Sequence, residues 1–138
     1  TVSGTAAAIS LGESEVQGLV LTSSVTSRRA GAITTQNIAS LKMPVLVLHH
    51  KNDACRICNP FEASQITSGL SGATVKKFIM VEGGSDPEGD PCAGRHWHGF
   101  INYERETTKI IADWIKAYDP TRLVNSVSGW AFRGMSPW

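Results

Sequence analysis

Three short stretches of this 138-residue chain are almost continuously apolar, where a half-exposed strand would alternate between apolar and polar residues. Runs of this kind are typical of strands in a parallel sheet that is covered on both faces. They are residues 18–22 (GLVLT), 45–49 (VLVLH) and 77–81 (KFIMV). Pro44 stands at the start of the second run, where its missing N–H does not interrupt a sheet. The sequence therefore predicts three core strands.

A helix start lies between the second and third predicted strands. Asn59 suits the N-cap position and Pro60 the first helical position. Phe61, Ile66 and Leu70 follow at a spacing that gives the helix an apolar side. The sequence predicts a short helix here, because glycines at 69 and 72 should end it.

Two further segments have helical patterns. Residues 34–41 form the weaker one, between the first two strands, and residues 101–118 form the stronger one, after the third strand. The longer segment places its apolar residues on one face; they are Thr107, Ile111, Trp114, Ile115 and Tyr118. The alternation of strands and helices predicts an α/β fold, with an open, mostly parallel sheet of about three core strands and flanking helices.

The composition restricts the partners of such a fold. A chain of 138 residues, 41% of them hydrophobic, suits one domain with a packed core, in which residues 121–138 form an irregular C-terminal tail. The formal net charge of +1 gives no electrostatic reason to expect a nucleic-acid partner. No apolar run approaches the roughly 20 residues that a membrane-spanning helix needs. We therefore expect neither nucleic acid nor a membrane span.

Polar side chains follow the second and third predicted strands. Asp53 comes shortly after the second strand, and His98 follows the third strand after a loop rich in glycine and proline. Because the carboxyl ends of neighbouring parallel strands open on one edge of a sheet, the two side chains should meet there. A carboxylate can then hold an imidazole in its useful tautomer and stabilise the imidazolium. Asp53 and His98 are thus a candidate acid–base pair, whereas His49 and His50 end a strand and are interpreted as structural.

Four motifs surround these residues. They are MPVLVLHHKNDACR (43–56), VEGG…DPC (81–92), HWHGF (96–100) and IADWI (111–115). Together they resemble the C-terminal part of α/β-hydrolases, particularly secreted bacterial serine hydrolases of the esterase type. The resemblance covers roughly residues 18–118 and implies that the whole chain is a single, partial α/β-hydrolase-like domain.

The resemblance also implies a function. Asp53 matches the acid of the catalytic triad and His98 matches its base. The expected reaction is hydrolysis of a small-molecule ester by acyl transfer to water, without a cofactor, in a periplasmic or secreted protein. Members of this group join the acid and histidine loops with a disulfide, which Cys55 and Cys92 would match.

The nucleophile is the part of the triad that the sequence does not supply clearly. In the superfamily it lies on a strand-to-helix turn, usually Gly-x-Ser-x-Gly. Residues 1–17 resemble a remnant of the helix after that turn, but aligning Gly4 with the second glycine puts Val2 at the nucleophile position. Ser3, one place away, is the candidate nucleophile. Since the chain starts at Thr1 without the preceding strands, we expect the nucleophile half to be missing or degenerate.

The three cysteines allow a different class of protein. Cys55, Cys58, Cys92 and His96 offer three thiolates and an imidazole, a set that suits a structural zinc ion, and His98 could replace His96 in it. An oxidising compartment would instead favour one disulfide and one free thiol. Composition alone does not decide between a zinc-stabilised domain and a disulfide.

The edge of the predicted sheet suggests a third class, a non-catalytic interaction module of hydrolase ancestry. The strand at 18–22 should have a neighbour on each side in a complete hydrolase, but only one side is filled here. An unpaired apolar edge favours pairing with another chain. We therefore expect a homo-oligomer or an association with a missing N-terminal half.

Overall fold

The computed structural model describes residues 2–27 and 31–118. A parallel sheet of three strands, in the order β1-β2-β3, forms its centre. The elements run in the order α1 (Val2–Leu11), β1 (Leu19–Thr22), β2 (Val45–His50), α2 (Ser64–Gly69), β3 (Lys76–Val81) and α3 (Glu104–Ala117). The predicted α/β architecture with three parallel strands and flanking helices is confirmed.

The central strand β2 separates two apolar layers. All six of its residues are buried, which explains why its sequence does not alternate. Val45 and Val47 pack into a cluster that contains residues of α1 and α2, whereas Leu46 and Leu48 pack into a second cluster with Trp114 of α3. Helices therefore cover the sheet on both faces.

The helix predicted for residues 34–41 is wrong. The structure has two separate 3₁₀ turns there, Ile33–Thr35 and Ile38–Ser40, with Gln36 extended between them. The hydroxyl of Thr35 donates to the Ala32 carbonyl at 2.8 Å, and the hydroxyl of Ser40 donates to the Asn37 carbonyl at 2.7 Å. Such local side-chain bonds compete with a continuous helical ladder.

The predicted N-cap of the helix after Asn59 is confirmed, but the predicted apolar face of that helix is not. The Asn59 Oδ1 atom accepts from the Phe61 N–H at 2.9 Å, and a 3₁₀ turn, Pro60–Glu62, precedes α2. Ile66 and Leu70 are fully buried, but Phe61 is 69% exposed. The tighter 3₁₀ turn rotates Phe61 away from the face that the later residues share. On α3, Ile115, which was predicted on the apolar face, is 52% exposed.

None of the helices in residues 2–27 and 31–118 is long and apolar enough to cross a membrane. The tail predicted for residues 121–138 lies outside the described residues, and so does Thr1. Residues 2–11 of the predicted post-elbow remnant are helical, as α1.

Candidate functional site

Asp53 and His98 lie together at the carboxyl edge of the sheet. Strands β2 and β3 pair in parallel up to His50 and Val81, so the loops that follow them leave from the same edge. Asp53 sits in the turn after β2, with its N–H donated to the His50 carbonyl at 3.1 Å. His98 lies in a 3₁₀ turn, Trp97–Gly99, at the end of the loop after β3. The predicted meeting of these residues is confirmed.

The geometry of the pair fixes the roles of its polar atoms. The His98 Nδ1 atom lies 3.0 Å from Asp53 Oδ2, and the Cys55 N–H donates to Asp53 Oδ1 at 2.9 Å. An ionised carboxylate only accepts, so Nδ1 carries the proton and the lone pair of the neutral ring is on Nε2. The Asp53 side chain is 0% exposed and that of His98 is 22% exposed. The acid is therefore enclosed, while the imidazole still reaches the surface.

Side chains at the ends of two strands hold the histidine turn. The Ser23 hydroxyl, just beyond β1, donates to the His98 carbonyl at 2.6 Å, and Ser23 itself has a φ of 41°. The ring of His50 stacks on Trp97 with the ring centroids 4.9 Å apart. Gly99 approaches the Gly94 backbone so closely that a β-carbon there would collide with it. Close packing therefore explains the glycine of the His-Gly-Phe motif, apart from any role of its histidine.

The structure contains the Cys55–Cys92 disulfide that the resemblance implied. Its sequence separation is 37, and it joins the loop of Asp53 to the loop of His98. Cys55 comes two residues after Asp53, and its N–H already bonds the carboxylate. The disulfide therefore restrains both members of the pair relative to each other.

Cys58 is a free, buried thiol next to this site. Burial, with a smaller contribution from the Asp53 carboxylate, raises the pKa of the Cys58 thiol to about 11. The Cys58 sulfur, the Cys55 sulfur and a ring nitrogen of His98 all lie within 4.8 Å of one another. The potential metal cluster thus contains His98, one of the two histidines considered for the predicted zinc set, and not His96.

The structural role assigned to the two histidines of β2 agrees with their environment. Both are fully buried. His50 Nε2 lies 2.9 Å from the Gly83 carbonyl oxygen, and its Nδ1 accepts from the Asn52 N–H at 3.1 Å. His49 Nε2 accepts from the Ser24 N–H at 3.0 Å, and its Nδ1 has no hydrogen-bond partner among the described residues. Burial lowers the pKa of His49 to about 4, with Asp53 opposing this change and His98 adding to it.

The lowered pKa of His49 predicts a loss of stability in acid. Between pH 6.5 and about 4 the unfolded chain binds a proton at this ring and the folded chain does not, so the free energy of unfolding falls as the pH falls through this window. The two pKa values correspond to roughly 3 kcal/mol. In His49→Gln the amide oxygen can still accept from Ser24. Urea unfolding should show the stability difference between wild type and His49→Gln shrinking by this amount from pH 7 to pH 4; a constant difference would contradict it.

The candidate nucleophile Ser3 is not brought to the pair. It is exposed in the first turn of α1, and α1 contacts the Ile38–Ser40 turn. Within residues 2–27 and 31–118, Ser3 makes no hydrogen bond to Asp53 or His98. Residue 3 also lies inside a helix, and the strand that should precede an elbow is not in the described chain.

Sequence reasoning missed Ser23. Ser23 had one available signal, since it directly follows a predicted strand on the functional edge. Cys58 was considered as a zinc ligand or an unpaired thiol. Its distance from His98, 40 positions further along the chain, depends on how two loops fold.

Comparisons with protein-family models, with curated proteins and with solved structures give no match for this chain.

Proposed function

We propose that this chain carries the acid and the base of a serine hydrolase that hydrolyses small-molecule esters. The observation that supports it best is the Asp53–His98 hydrogen bond of 3.0 Å at the carboxyl edge of a parallel sheet. This edge is where α/β folds gather their functional side chains. The resemblance of the surrounding motifs to the C-terminal part of α/β-hydrolases supports the same function.

The proposed mechanism uses the second nitrogen of His98. With Nδ1–H donated to Asp53, the Nε2 lone pair removes the proton of a serine hydroxyl as its oxygen attacks the ester carbonyl. The buried Asp53 carboxylate stabilises the imidazolium, which then protonates the departing alkoxide to give the alcohol. Water, deprotonated by the same nitrogen, releases the acid and regenerates the serine.

The nucleophile in this proposal comes from a segment outside the described residues. Ser3 has neither the elbow nor the contact with His98 that the role requires. The N-terminal half of a hydrolase, with its strand and elbow, would supply both on the free side of β1. An oxidising location, periplasmic or secreted, fits the Cys55–Cys92 disulfide.

A serine-directed fluorophosphonate tests this assignment on the protein isolated from its native source with any chain bound to it. We expect the label on a serine outside residues 2–118, identified by peptide mass analysis. Labelling should be lost in His98→Asn and retained in His96→Asn, a matched change two residues away. Label on Ser3, or equal labelling in both variants, would contradict the proposed arrangement.

A second candidate, the interaction module, is favoured by an apolar groove next to β1, whose edge away from β2 is unpaired within residues 2–27 and 31–118. The other edge of β1 is paired to β2, and the exposed Ile115 lies in the groove wall. The groove is lined by Gln17, Gly18, Val20, Pro44, Trp114, Ile115 and Tyr118. We propose that another chain, a copy or the complementary half, covers this surface, because an unpaired edge beside apolar surface favours association.

Light scattering of the isolated chain tests the association. We expect a species larger than 14.8 kDa, converted toward the monomer by Ile115→Lys, which puts a charge into the groove. Phe61→Lys is the matched control, because Phe61 is also an exposed apolar residue but lies outside the groove. A monomeric wild-type chain, or an equal effect of the two changes, would count against this surface.

A further inference from the structure

One cluster of side chains contains sulfur atoms that the hydrolytic mechanism does not use. It consists of the buried thiol of Cys58, the disulfide sulfurs of Cys55 and Cys92, and the His98 ring. The ligand atoms of Cys55, Cys58 and His98 lie within 4.8 Å of one another, and the Cys92 sulfur is bonded to that of Cys55. Two separate loops thus bring two sulfurs and one imidazole within 4.8 Å of one another, and the third sulfur is covalently joined to one of them.

The upper limit of 4.8 Å on the distances among Cys55, Cys58 and His98 is compatible with a tetrahedral zinc site. With Zn–S bonds of about 2.3 Å and Zn–N bonds of about 2.0 Å, neighbouring ligand atoms are separated by roughly 3.5–3.8 Å. The covalently bonded pair of sulfurs is too close for two ligands of one zinc ion, and breaking that bond allows the pair to separate. A soluble reductant has access to the bond, because Cys92 is exposed although Cys55 is buried.

The neighbourhood of His98 also suits a metal ligand. Zinc-bound histidines usually donate their other ring N–H to a carboxylate, which fixes the tautomer and strengthens the ligand. Asp53 accepts from Nδ1 of His98 in this manner. A carboxylate held at this place therefore serves a proton-transferring histidine and a metal-binding histidine equally well.

We propose that reduction of the Cys55–Cys92 disulfide creates a zinc site formed by Cys55, Cys58, Cys92 and His98. A dithiol reductant supplies two electrons and two protons, becomes a disulfide and leaves two new thiols on the protein. Zinc then replaces the protons of the three thiols and takes the lone pair of the His98 ring. The same histidine cannot accept a proton while it binds zinc, so the oxidised and the reduced, zinc-bound chains differ in whether the base is available.

Metal titration of the full chain tests this proposal without any assay of hydrolysis, so its outcome is independent of the proposed function. The reduced chain, freed of metal, should bind one Zn²⁺ in competition with a chelator and protect three thiols from alkylation. With Co²⁺ in place of zinc it should show the visible absorption of tetrahedral cobalt bound to thiolates. The oxidised chain should do neither. Reduced wild type that binds no stoichiometric zinc would overturn the proposal, and this comparison needs no variant.

Variants test which residues hold the ion. Cys58→Ser and His98→Asn should weaken zinc binding, and His96→Asn should not. Asp53→Asn should lower the affinity on the order of ten- to a hundredfold by removing the partner of the ligand imidazole. Asp90→Asn is its control, because Asp90 also accepts the N–H of a disulfide cysteine, Cys92, at 2.7 Å. Affinities independent of both His98 and Asp53 would mean that zinc binds an unfolded set of thiols, which would refute the site.

Discussion

Asp53→Asn should lower kcat for ester hydrolysis by about 10⁴-fold in the complete enzyme of our proposal, while the variant remains folded. The reason is the direction of the two hydrogen bonds at this side chain. The Cys55 N–H needs an acceptor, so the asparagine oxygen takes the place of Oδ1, which points the amide NH₂ at His98 Nδ1. Nδ1 must then accept, and the proton moves to Nε2. The nitrogen that should remove the serine proton no longer has a lone pair.

Asp90→Asn is the control for this change. Asp90 makes the same kind of bond to the N–H of Cys92 but has no histidine as partner among the described residues. We expect its kcat to stay within about twofold of the wild-type value, as for a surface substitution of small effect. A burst of acylation that persists in Asp53→Asn at the wild-type rate would remove Asp53 from the mechanism and leave it a structural residue of its turn.

Cys92→Ser should lower the free energy of unfolding by about 3–4 kcal/mol, the second large effect that we expect. The disulfide closes a sequence separation of 37 residues, and on the chain-entropy model its loss frees the unfolded ensemble by that amount. Urea unfolding monitored by tryptophan fluorescence, with a chelator present to exclude metal, measures the loss.

The wild-type chain provides the internal control. A phosphine reductant should destabilise wild type by the same amount and leave Cys92→Ser unchanged. Thiol labelling of unfolded, unreduced wild type should find one reactive cysteine, Cys58. Three reactive thiols, or a midpoint that does not respond to reductant, would show that the bond contributes nothing to stability.

The strands were the most predictable part of the fold. Each predicted run agrees with the structure to within one residue at either end, as in 45–49 against Val45–His50. The signal was clear because a strand buried on both faces must be apolar at every position. The N-cap at Asn59 was equally predictable, because it depends only on one side chain and on the N–H two residues further along the chain.

The wrong helix predictions concern local contacts that a periodic pattern of apolar residues does not show. Phe61 was placed on a buried face because the helical period was carried back through Pro60–Glu62, where the chain makes a 3₁₀ turn. Residues 34–41 have helical spacing, but the hydroxyls of Thr35 and Ser40 bond nearby carbonyls and favour separate turns. Both outcomes depend on local hydrogen bonds.

By itself, the sequence determined the three apolar strands and the parallel α/β arrangement, because strands buried on both faces are apolar throughout and alternate with helical segments. It also determined the edge to which Asp53 and His98 belong, because both residues follow the carboxyl ends of neighbouring parallel strands. Only the tertiary structure decided that the pair is within hydrogen-bonding distance, that Cys58 rather than a solvent-exposed thiol adjoins His98, and that Ser3 lies away from both. These relations join residues 40 or more positions apart or on different elements. Their distances are set by how the loops after β2 and β3 pack on each other, which neither composition nor spacing specifies.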